Sequence, residues 1–309
     1  MENKWFIIIN PNAGNRKGEQ DWPLIHELLI SKGLSFEYTF SEYHKHAISL
    51  ASRAIENGYR YILAVGGDGT INEVVNGIFQ QDIVSPTNIT LGVLTIGTGN
   101  DWGRMFDIPA DFEQAIDMLI KGKVFYQDVG FVQYKNGSHI DHRYFINIAG
   151  IGFDAIVAKK TNSLKERGKS NSFSYLTSLL SSLLKYKHHK SEIIIDASKH
   201  KLNTNLFSMN VGICQYNGGG MKQVPNAIPD DGLFDLTIIS KVRKFSVFRH
   251  LQKIYRGTHL KLPYVRSFQA KSVIVDSASS INLEVDGESL GHTPMEFSII
   301  PKGIKVITG

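Results

Sequence analysis

The sequence predicts a two-domain protein: an α/β domain with a parallel sheet, followed by a predominantly antiparallel β domain. In the first 128 residues, strand-like and helix-like segments alternate, which indicates a parallel sheet with right-handed crossovers. Beyond residue 128, short strand-like segments dominate and are separated by Asn-Gly, Asp-Gly and Gly-Gly-Gly turns. Such spacing is typical of antiparallel strands. We therefore divide the chain into residues 1–128 and 129–309, and the last strand can return to the first domain.

The elements of the first domain follow from its apolar runs and its glycines. The apolar runs predict strands, at residues 5–9, 35–40, 61–65 and 90–94. Helices are expected over residues 22–32, 46–57, 70–79 and 112–121. Three of these helices are followed directly by glycine, which is common where helices end. Thr70 and Glu73 have the spacing of a capping box, so the third helix should begin directly after a glycine-rich loop.

The second domain is predicted to contain mostly short strands. They are expected at residues 129–134, 144–148, 192–195, 206–211, 234–239, 272–275, 281–285, 295–299 and 304–307. Two inserted helices are predicted, over residues 173–187 and 245–255. The first has apolar residues at helical spacing and is followed by lysines, a pattern that suits either a cover over the core or a membrane surface.

Composition narrows the class of protein. The 309 residues include 42% apolar and 20% charged residues, as in an ordinary globular protein. The single cysteine, Cys214, excludes an intramolecular disulfide and a cysteine-based zinc site. No apolar run approaches the roughly 20 residues that span a bilayer, and the first residues lack the features of a signal peptide. We therefore expect a cytoplasmic protein.

The positive charge is concentrated in one part of the sequence. The net charge is +5, and residues 241–271 contain nine Lys or Arg and no Asp or Glu. Such a segment attracts phospholipid headgroups or nucleic acid, or is simply a solvated face. Phe245, Phe248 and Tyr255 lie among these charges, and their helical spacing favours core packing over base stacking.

Three strands of the first domain end in residues suited to phosphate binding. These loops are residues 10–14, 66–70 and 97–101. Glycine lets backbone N–H groups approach an anion, and Asp68 and Asp101 are candidate Mg²⁺ ligands. Each loop alone is equally well a tight turn, but three at corresponding strand ends favour a phosphate site. The Walker A and G-x-G-x-x-G patterns are absent, which argues against a P-loop or Rossmann dinucleotide site.

The motifs in these loops resemble those of the diacylglycerol kinase catalytic family, which includes bacterial lipid kinases and sphingosine kinases. The matching motifs are Asn10-Pro11-x-x-Gly14, Gly66-Gly67-Asp68-Gly69-Thr70-x-Asn72-Glu73-Val74, Gly97-Thr98-x-Asn100-Asp101, Gly150-x-Gly152-x-Asp154-Ala155, Gly218-Gly219-Gly220, Pro225-x-Ala227-x-x-Asp230-Asp231-Gly232-Leu233 and Asp286-Gly287-Glu288. They cover essentially the whole chain in order. The Gly-Gly-Asp-Gly-Thr loop is also similar to that of NAD kinases.

The resemblance implies an ATP- and Mg²⁺-dependent lipid kinase, with a nucleotide-binding α/β domain of the NAD kinase/diacylglycerol kinase type and a β-rich lipid-substrate domain. Diacylglycerol is the first candidate acceptor, and it would give phosphatidic acid. The positions that the resemblance assigns to the nucleotide are Asn10, Pro11, Asn12, Ala13, Gly14, Ser41, Gly66, Gly67, Asp68, Gly69, Thr70, Ile71, Asn72, Thr98, Asn100 and Asp101.

The resemblance also assigns roles to acidic residues. Glu288 is the expected proton acceptor, in a site between the two domains, and Asp68 is a second catalytic residue. Asp68, Asp101 and Asp128 match positions tied to the magnesium and water network. Without the resemblance, Asp286-Gly287 would be interpreted as a hairpin turn alone.

A structural Mg²⁺ is implied in the β domain, held by Asp231 with backbone oxygens of Ile228 and Leu233. The sequence departs from the family pattern at Thr95, where proline is usual, and at Lys45, where glycine is usual. Neither departure removes a catalytic group.

The expected partners are a membrane lipid and an anionic membrane surface, in peripheral contact. No nucleic acid is expected, and relatives suggest a homodimer. Two alternatives stay open: a soluble kinase like the NAD kinases, and a catalytically silent protein that binds lipid or nucleic acid. No motif specifies the acyl chains or the headgroup of the acceptor.

Overall fold

The structure is a computed structural model that describes residues 4–97, 99–166, 181–197 and 199–309. The chain forms two compact units. The first unit comprises Met1–Val129 and Ile300–Gly309, and the second comprises Gly130–Ile299.

The first unit contains a parallel sheet in the order β4-β3-β1-β2. Its strands are β1 (Trp5–Ile9), β2 (Phe36–Phe40), β3 (Tyr61–Gly66) and β4 (Thr90–Thr95). The last strand of the chain, β16 (Glu288–Thr308), ends beside β4 and pairs with it in parallel through Lys305 and Val306. The chain therefore returns to the first unit, and the carboxyl ends of the parallel strands lie along one edge of its sheet.

Helices cover this sheet. They are α1 (Ala13–Ser31), α2 (His46–Glu56), α3 (Asp68–Gln80), α4 (Asp101–Met105) and α5 (Phe112–Lys121). Trp5, Ile7, Leu63, Ile25 and Leu29 belong to the apolar core between the sheet and the helices. The helix predicted at residues 22–32 starts earlier than expected, and the short α4 was not predicted. Left-handed backbone at residues 14–16 separates the first residues of α1 from its regular part.

The second unit is built mainly from antiparallel strands. They are β5 (Lys123–Asn136), β6 (His139–Phe145), β7 (Ile148–Gly152), β8 (His189–Ile195), β9 (His200–Gly212), β10 (Tyr216–Asn217), β11 (Met221–Lys222), β12 (Phe234–Ser240), β13 (Val265–Ala270), β14 (Ser272–Ser277) and β15 (Asn282–Val285). The main order is β13-β12-β9-β7-β15-β16. The strand predicted at 144–148 is two strands, whereas those predicted at 295–299 and 304–307 are parts of the single strand β16.

Two helices of the second unit are described over most or all of their length. They are α6 (Phe153–Glu166), which was not predicted, and α7 (Lys244–Tyr255), which agrees with the prediction at 245–255. The helix predicted over residues 173–187 lies largely outside the described residues, and residues 181–185 are helical. None of the described helices combines the length and the apolar character that a bilayer span requires.

The glycine-rich loop opens directly into α3, as predicted, but the capping box expected from Thr70 and Glu73 is not formed. Gly67 precedes α3 without a side-chain cap, and Glu73 instead binds the start of α2. One carboxylate oxygen accepts a hydrogen bond from the backbone N–H of Lys45 at 2.9 Å, and the other accepts one from Ala47 at 3.2 Å. Glu73 therefore links α3 to α2. It accepts hydrogen bonds from backbone N–H groups at the start of α2, which have no partners within their own helix.

Lys45 has left-handed backbone, with φ of 67°, which explains why glycine is the usual residue here. A side chain in this conformation costs about 1–2 kcal/mol, and glycine avoids that cost but loses more entropy on folding. We predict that Lys45→Gly raises the free energy of unfolding by up to about 1 kcal/mol. Chemical denaturation measures it, with Lys45→Ala as the control that keeps the strained Cβ. A Lys45→Gly variant less stable than Lys45→Ala would contradict this explanation.

Candidate active site

The three glycine-rich loops of the first unit converge at the carboxyl edge of its sheet. A Cβ built on Gly67 would lie 3.7 Å from the Cα of Gly97, and one built on Gly14 would lie 3.3 Å from the Cγ2 of Ile96. The loops that follow β1, β3 and β4 are therefore in contact. Because both residues are glycine, the backbones of these two loops approach each other without intervening side chains, which suits phosphate binding.

Asn10 links the first loop to the second. Its side-chain N–H donates to the hydroxyl of Thr70 at 3.0 Å, and its Oδ1 accepts from the backbone N–H of Asn12 at 3.0 Å. The neighbouring Asn15 and Arg16 have φ of 64° and 69°. Such backbone costs about 1–2 kcal/mol per residue and is commonly found at functional sites.

Asp68 links the second loop to the third. Its Oδ2 accepts from the backbone N–H of Asp101 at 3.2 Å, and its Oδ1 accepts from that of Trp102 at 3.1 Å. Asp68 is the first residue of α3, and through these two hydrogen bonds it caps the start of α4. Helix α4 has only five residues and contributes little stability by itself. The carboxylate therefore fixes the position of the third loop relative to the second.

The carboxylates of Asp68 and Asp101 lie close to each other. A Cβ on Gly99 would be 3.1 Å from an oxygen of Asp68 and 3.4 Å from one of Asp101. Burial and the nearby Asp101 raise the pKa of Asp68. Two oxygen donors with mutual repulsion beside a backbone-lined loop fit a divalent cation such as Mg²⁺.

Other residues assigned to the nucleotide have different environments. Asn72 is completely buried within α3 and lies 3.2 Å from the side chain of Asn76, and Ile71 is also buried. Ser41 donates its backbone N–H to Ile9 at 2.8 Å, which places it beside the end of β1. Asn100 has left-handed backbone and donates to the carbonyl of Gly97 at 3.2 Å.

Two further assigned positions are Thr98, expected at the nucleotide, and Asp128, expected in the magnesium network. Thr98 lies outside the described residues. Asp128 is completely buried, and its Oδ1 accepts from the backbone N–H of Lys302 at 2.7 Å. That bond ties β5 to the final residues of the first unit, and the assignment of Asp128 to a magnesium network stays a prediction.

In the second unit, Asp286 and Gly287 form a two-residue hairpin turn between β15 and β16. Both residues have left-handed backbone, with φ of 47° and 84°, as a type I′ turn requires. The carboxylate of Asp286 accepts three backbone N–H bonds, from Ile146, Asn147 and Ile148, at 3.0–3.1 Å. These three hydrogen bonds fix the position of the turn. Glu288 follows the turn as the first residue of β16 and is half-buried.

Glu284 also binds this turn, and the sequence motifs did not predict this role. It is buried, its Oε2 accepts from the backbone N–H of Gly287 at 2.9 Å, and its Oε1 accepts from Asn217 at 2.9 Å. Burial raises the pKa of Glu284 to about 8, with smaller contributions from Asp154 and Asp286. The available signal was a carboxylate inside the apolar run Leu283-Glu284-Val285.

Asp154 lies on the same buried side of β7. A Cβ built on Gly150 would lie 2.5 Å from Oε1 of Glu284 and 3.2 Å from the Cβ of Asp154. The hydroxyl of Ser208 donates to Asp154, and burial raises the pKa of the Asp154 carboxyl. The glycine at 150 thus leaves room for the buried Glu284 and the half-buried Asp154 beside the Asp-Gly turn.

The residues assigned to a structural Mg²⁺ form a turn at the surface of the second unit. Asp231 and Ile228 are exposed, and Asp231 accepts from the backbone N–H of Leu233 at 3.0 Å. Burial and the neighbouring Asp231 raise the pKa of Asp235. The assignment of Asp231, Ile228 and Leu233 to a structural Mg²⁺ stays a prediction.

Family models match nearly the whole chain. Residues 4–132 match the diacylglycerol kinase catalytic domain, and residues 147–308 match the YegS C-terminal NAD kinase beta sandwich-like domain. The diacylglycerol kinase of Staphylococcus saprophyticus is 32% identical over 308 residues, covering 100% of this chain and 96% of the relative. That of Staphylococcus epidermidis is 33% identical, covering 100% and 93%.

Solved structures share the fold. A diacylglycerol kinase from Bacillus anthracis aligns with a TM-score of 0.72 and 21% identity, covering 99% of this chain and 97% of that one. Yeast NADH kinase complexed with NADH aligns with a TM-score of 0.54 and 13% identity, covering 99% and 83%. The fold is thus the two-domain NAD kinase/diacylglycerol kinase type. The chain belongs to the diacylglycerol kinase family, and it is a phosphotransferase with an alcohol acceptor.

The raised pKa of Glu284 has a consequence for stability. The folded chain keeps this proton where the unfolded chain releases it, so the free energy of unfolding falls as pH rises from 4.5 towards about 8. One such proton contributes a slope of at most about 1.4 kcal/mol per pH unit. We predict a flatter profile for Glu284→Gln, which cannot ionise, in denaturation experiments between about pH 5 and 8. The exposed Glu296→Gln on β16 is the control, and equal slopes for wild type and Glu284→Gln would refute the prediction.

Proposed function

We propose that this chain transfers the γ-phosphoryl group of ATP, with Mg²⁺, to the hydroxyl of diacylglycerol and so produces phosphatidic acid. The observation that carries the proposal is the convergence of three backbone-lined loops at one sheet edge in the first unit. The names of the curated relatives support diacylglycerol as the acceptor. The lipid itself follows from these names and not from the geometry.

The phosphate donor is proposed to bind against the loops that follow β1, β3 and β4. The start of α3 offers backbone N–H groups and the positive end of a helix to an anion. Close packing of Gly67 against Gly97 lets phosphate oxygens reach the backbone. Asn10 and Thr70, bonded to each other, keep the first two loops in register.

The acidic pair Asp68 and Asp101 is proposed to hold the catalytic Mg²⁺, directly or through water. When bound, the ion would neutralise charge on the phosphates. Asp68 accepts two backbone N–H bonds and keeps lone pairs for a cation, since a carboxylate accepts about four bonds. In the second unit, Asp231 with backbone oxygens of Ile228 and Leu233 is proposed to hold the structural Mg²⁺.

Glu288 is proposed as the group that accepts the proton of the acceptor hydroxyl as its oxygen attacks the γ-phosphorus. A carboxylate in this role typically contributes about 10²–10⁴-fold to the rate. The turn before Glu288 is held by Asp286 and Glu284, which restricts the backbone that carries the base. Rigid support of this kind reduces the entropy lost in reaching a reactive geometry.

Phosphorylation of NAD or NADH is the second candidate, favoured by the fold shared with yeast NADH kinase. That likeness concerns the fold alone at 13% identity. The relatives that match the full chain at 32–33% identity are named diacylglycerol kinase, which favours the lipid acceptor.

Labelled ATP and Mg²⁺ should transfer phosphate to diacylglycerol in mixed micelles, in parallel with phosphatidylglycerol, sphingosine and NAD. We predict that Glu288→Gln lowers kcat for the lipid at least about 100-fold while ATP affinity stays within about threefold, because the base does not bind the donor. Glu296→Gln, an exposed carboxylate on the same strand, should retain wild-type activity.

The different acceptors and variants in this assay test the lipid acceptor and the role of Glu288 separately. Labelling of NAD without any lipid would refute the lipid kinase. Full activity of Glu288→Gln would refute the base assignment and leave the kinase in place. Binding of lipid without phosphate transfer by the wild type would indicate the catalytically silent alternative.

A further inference from the structure

Among the described residues, helix α7 contacts the rest of the second unit with one side. None of its residues is fully buried. Val247 and Phe248 face inwards and pack against an apolar cluster that includes Phe153, Phe207 and Val242. The expectation that the aromatic residues of this helix pack in the core therefore holds for Phe248 only.

The outer side of α7 presents an exposed row of side chains. Phe245, Arg249, Gln252 and Arg256 recur at intervals of four, three and four residues, which places them on one helix face. All four are exposed, and Phe245 is 77% exposed. Lys253 is exposed beside them, and we refer to these five residues as the α7 stripe.

The positive charge of the stripe lies in a segment of the sequence without acidic residues. Residues 241–271 contain nine Lys or Arg and no acidic residue. Among the residues that the structure describes, none of the ion pairs includes Arg249, Lys253 or Arg256. The three cations of the stripe are thus available for an external anion.

The chemistry of the stripe fits one kind of partner best. An exposed Phe in line with cations is the pattern of helices that lie in the interface of an anionic bilayer. The row extends over about 16 Å, at 1.5 Å per residue, and can meet a flat surface along its whole length. Nucleic-acid recognition would favour several stacking aromatics along a groove, whereas the two exposed aromatics of α7, Phe245 and Tyr255, lie ten residues apart on a convex helix.

We propose that the α7 stripe is the surface through which this chain docks on anionic membranes. Phe245 enters the headgroup region, and Arg249, Lys253 and Arg256 contact lipid phosphates. Docking is independent of the acceptor that the kinase uses, and it can be measured without turnover. Docking brings the proposed kinase to its lipid acceptor at the bilayer surface.

The test measures co-sedimentation of the full chain with phosphatidylcholine vesicles that contain either none or about one third phosphatidylglycerol. Each cation contributes about fivefold to the binding constant. We predict that Arg249→Glu/Lys253→Glu/Arg256→Glu weakens binding to the anionic vesicles at least about 100-fold. Phe245→Ser should weaken it about tenfold, because it removes apolar surface from the headgroup region.

The matched control is Lys121→Glu/Lys123→Glu/Lys135→Glu, which makes the same change in net charge at three exposed lysines outside α7. Binding of the stripe variant within about twofold of this control would overturn the proposal, as would loss of RNA or DNA affinity with unchanged vesicle binding. Thermal unfolding checks that both triple variants are folded. Activity on acceptor dispersed in micelles separates the two proposals, because a stripe variant that loses docking should keep its turnover there.

Discussion

The carboxylate of Asp68 is the contact on which the arrangement of the first unit's loops depends. It lies in the loop after β3 and accepts hydrogen bonds from the first amides of α4, which follows β4. A helix of five residues does not form stably by itself, so these bonds set its position. Truncating Asp68 would leave two partly buried amides without their acceptor, which typically costs about 1–3 kcal/mol each.

Carboxylates have the same structural role elsewhere in the chain. Glu73 binds amides of α2, Asp128 binds Lys302, and Asp286 binds three successive amides. In each case a buried acid accepts backbone N–H groups from a segment that is distant in sequence. These acids therefore connect segments through backbone hydrogen bonds in addition to apolar packing.

The sequence predicted the features that depend on local rules. The parallel strands and their shared carboxyl edge follow from alternating apolar runs, and the three loops follow from that edge. The capping box was wrong because Thr70 and Glu73 have tertiary partners, Asn10 and the start of α2, which local spacing does not reveal. Glu284 was missed because a single carboxylate in an apolar run does not show what it bonds, and α6 because its apolar face is weak.

We propose that the three loops of the first unit form one site for a nucleoside triphosphate. A crystal structure of the chain with Mg²⁺ and a non-hydrolysable ATP analogue tests this most directly. We expect phosphate oxygens within about 3.2 Å of backbone N–H groups in the loops after β3 and β4, and a cation beside Asp68. A nucleotide bound elsewhere on the chain, with these loops unoccupied, would contradict it.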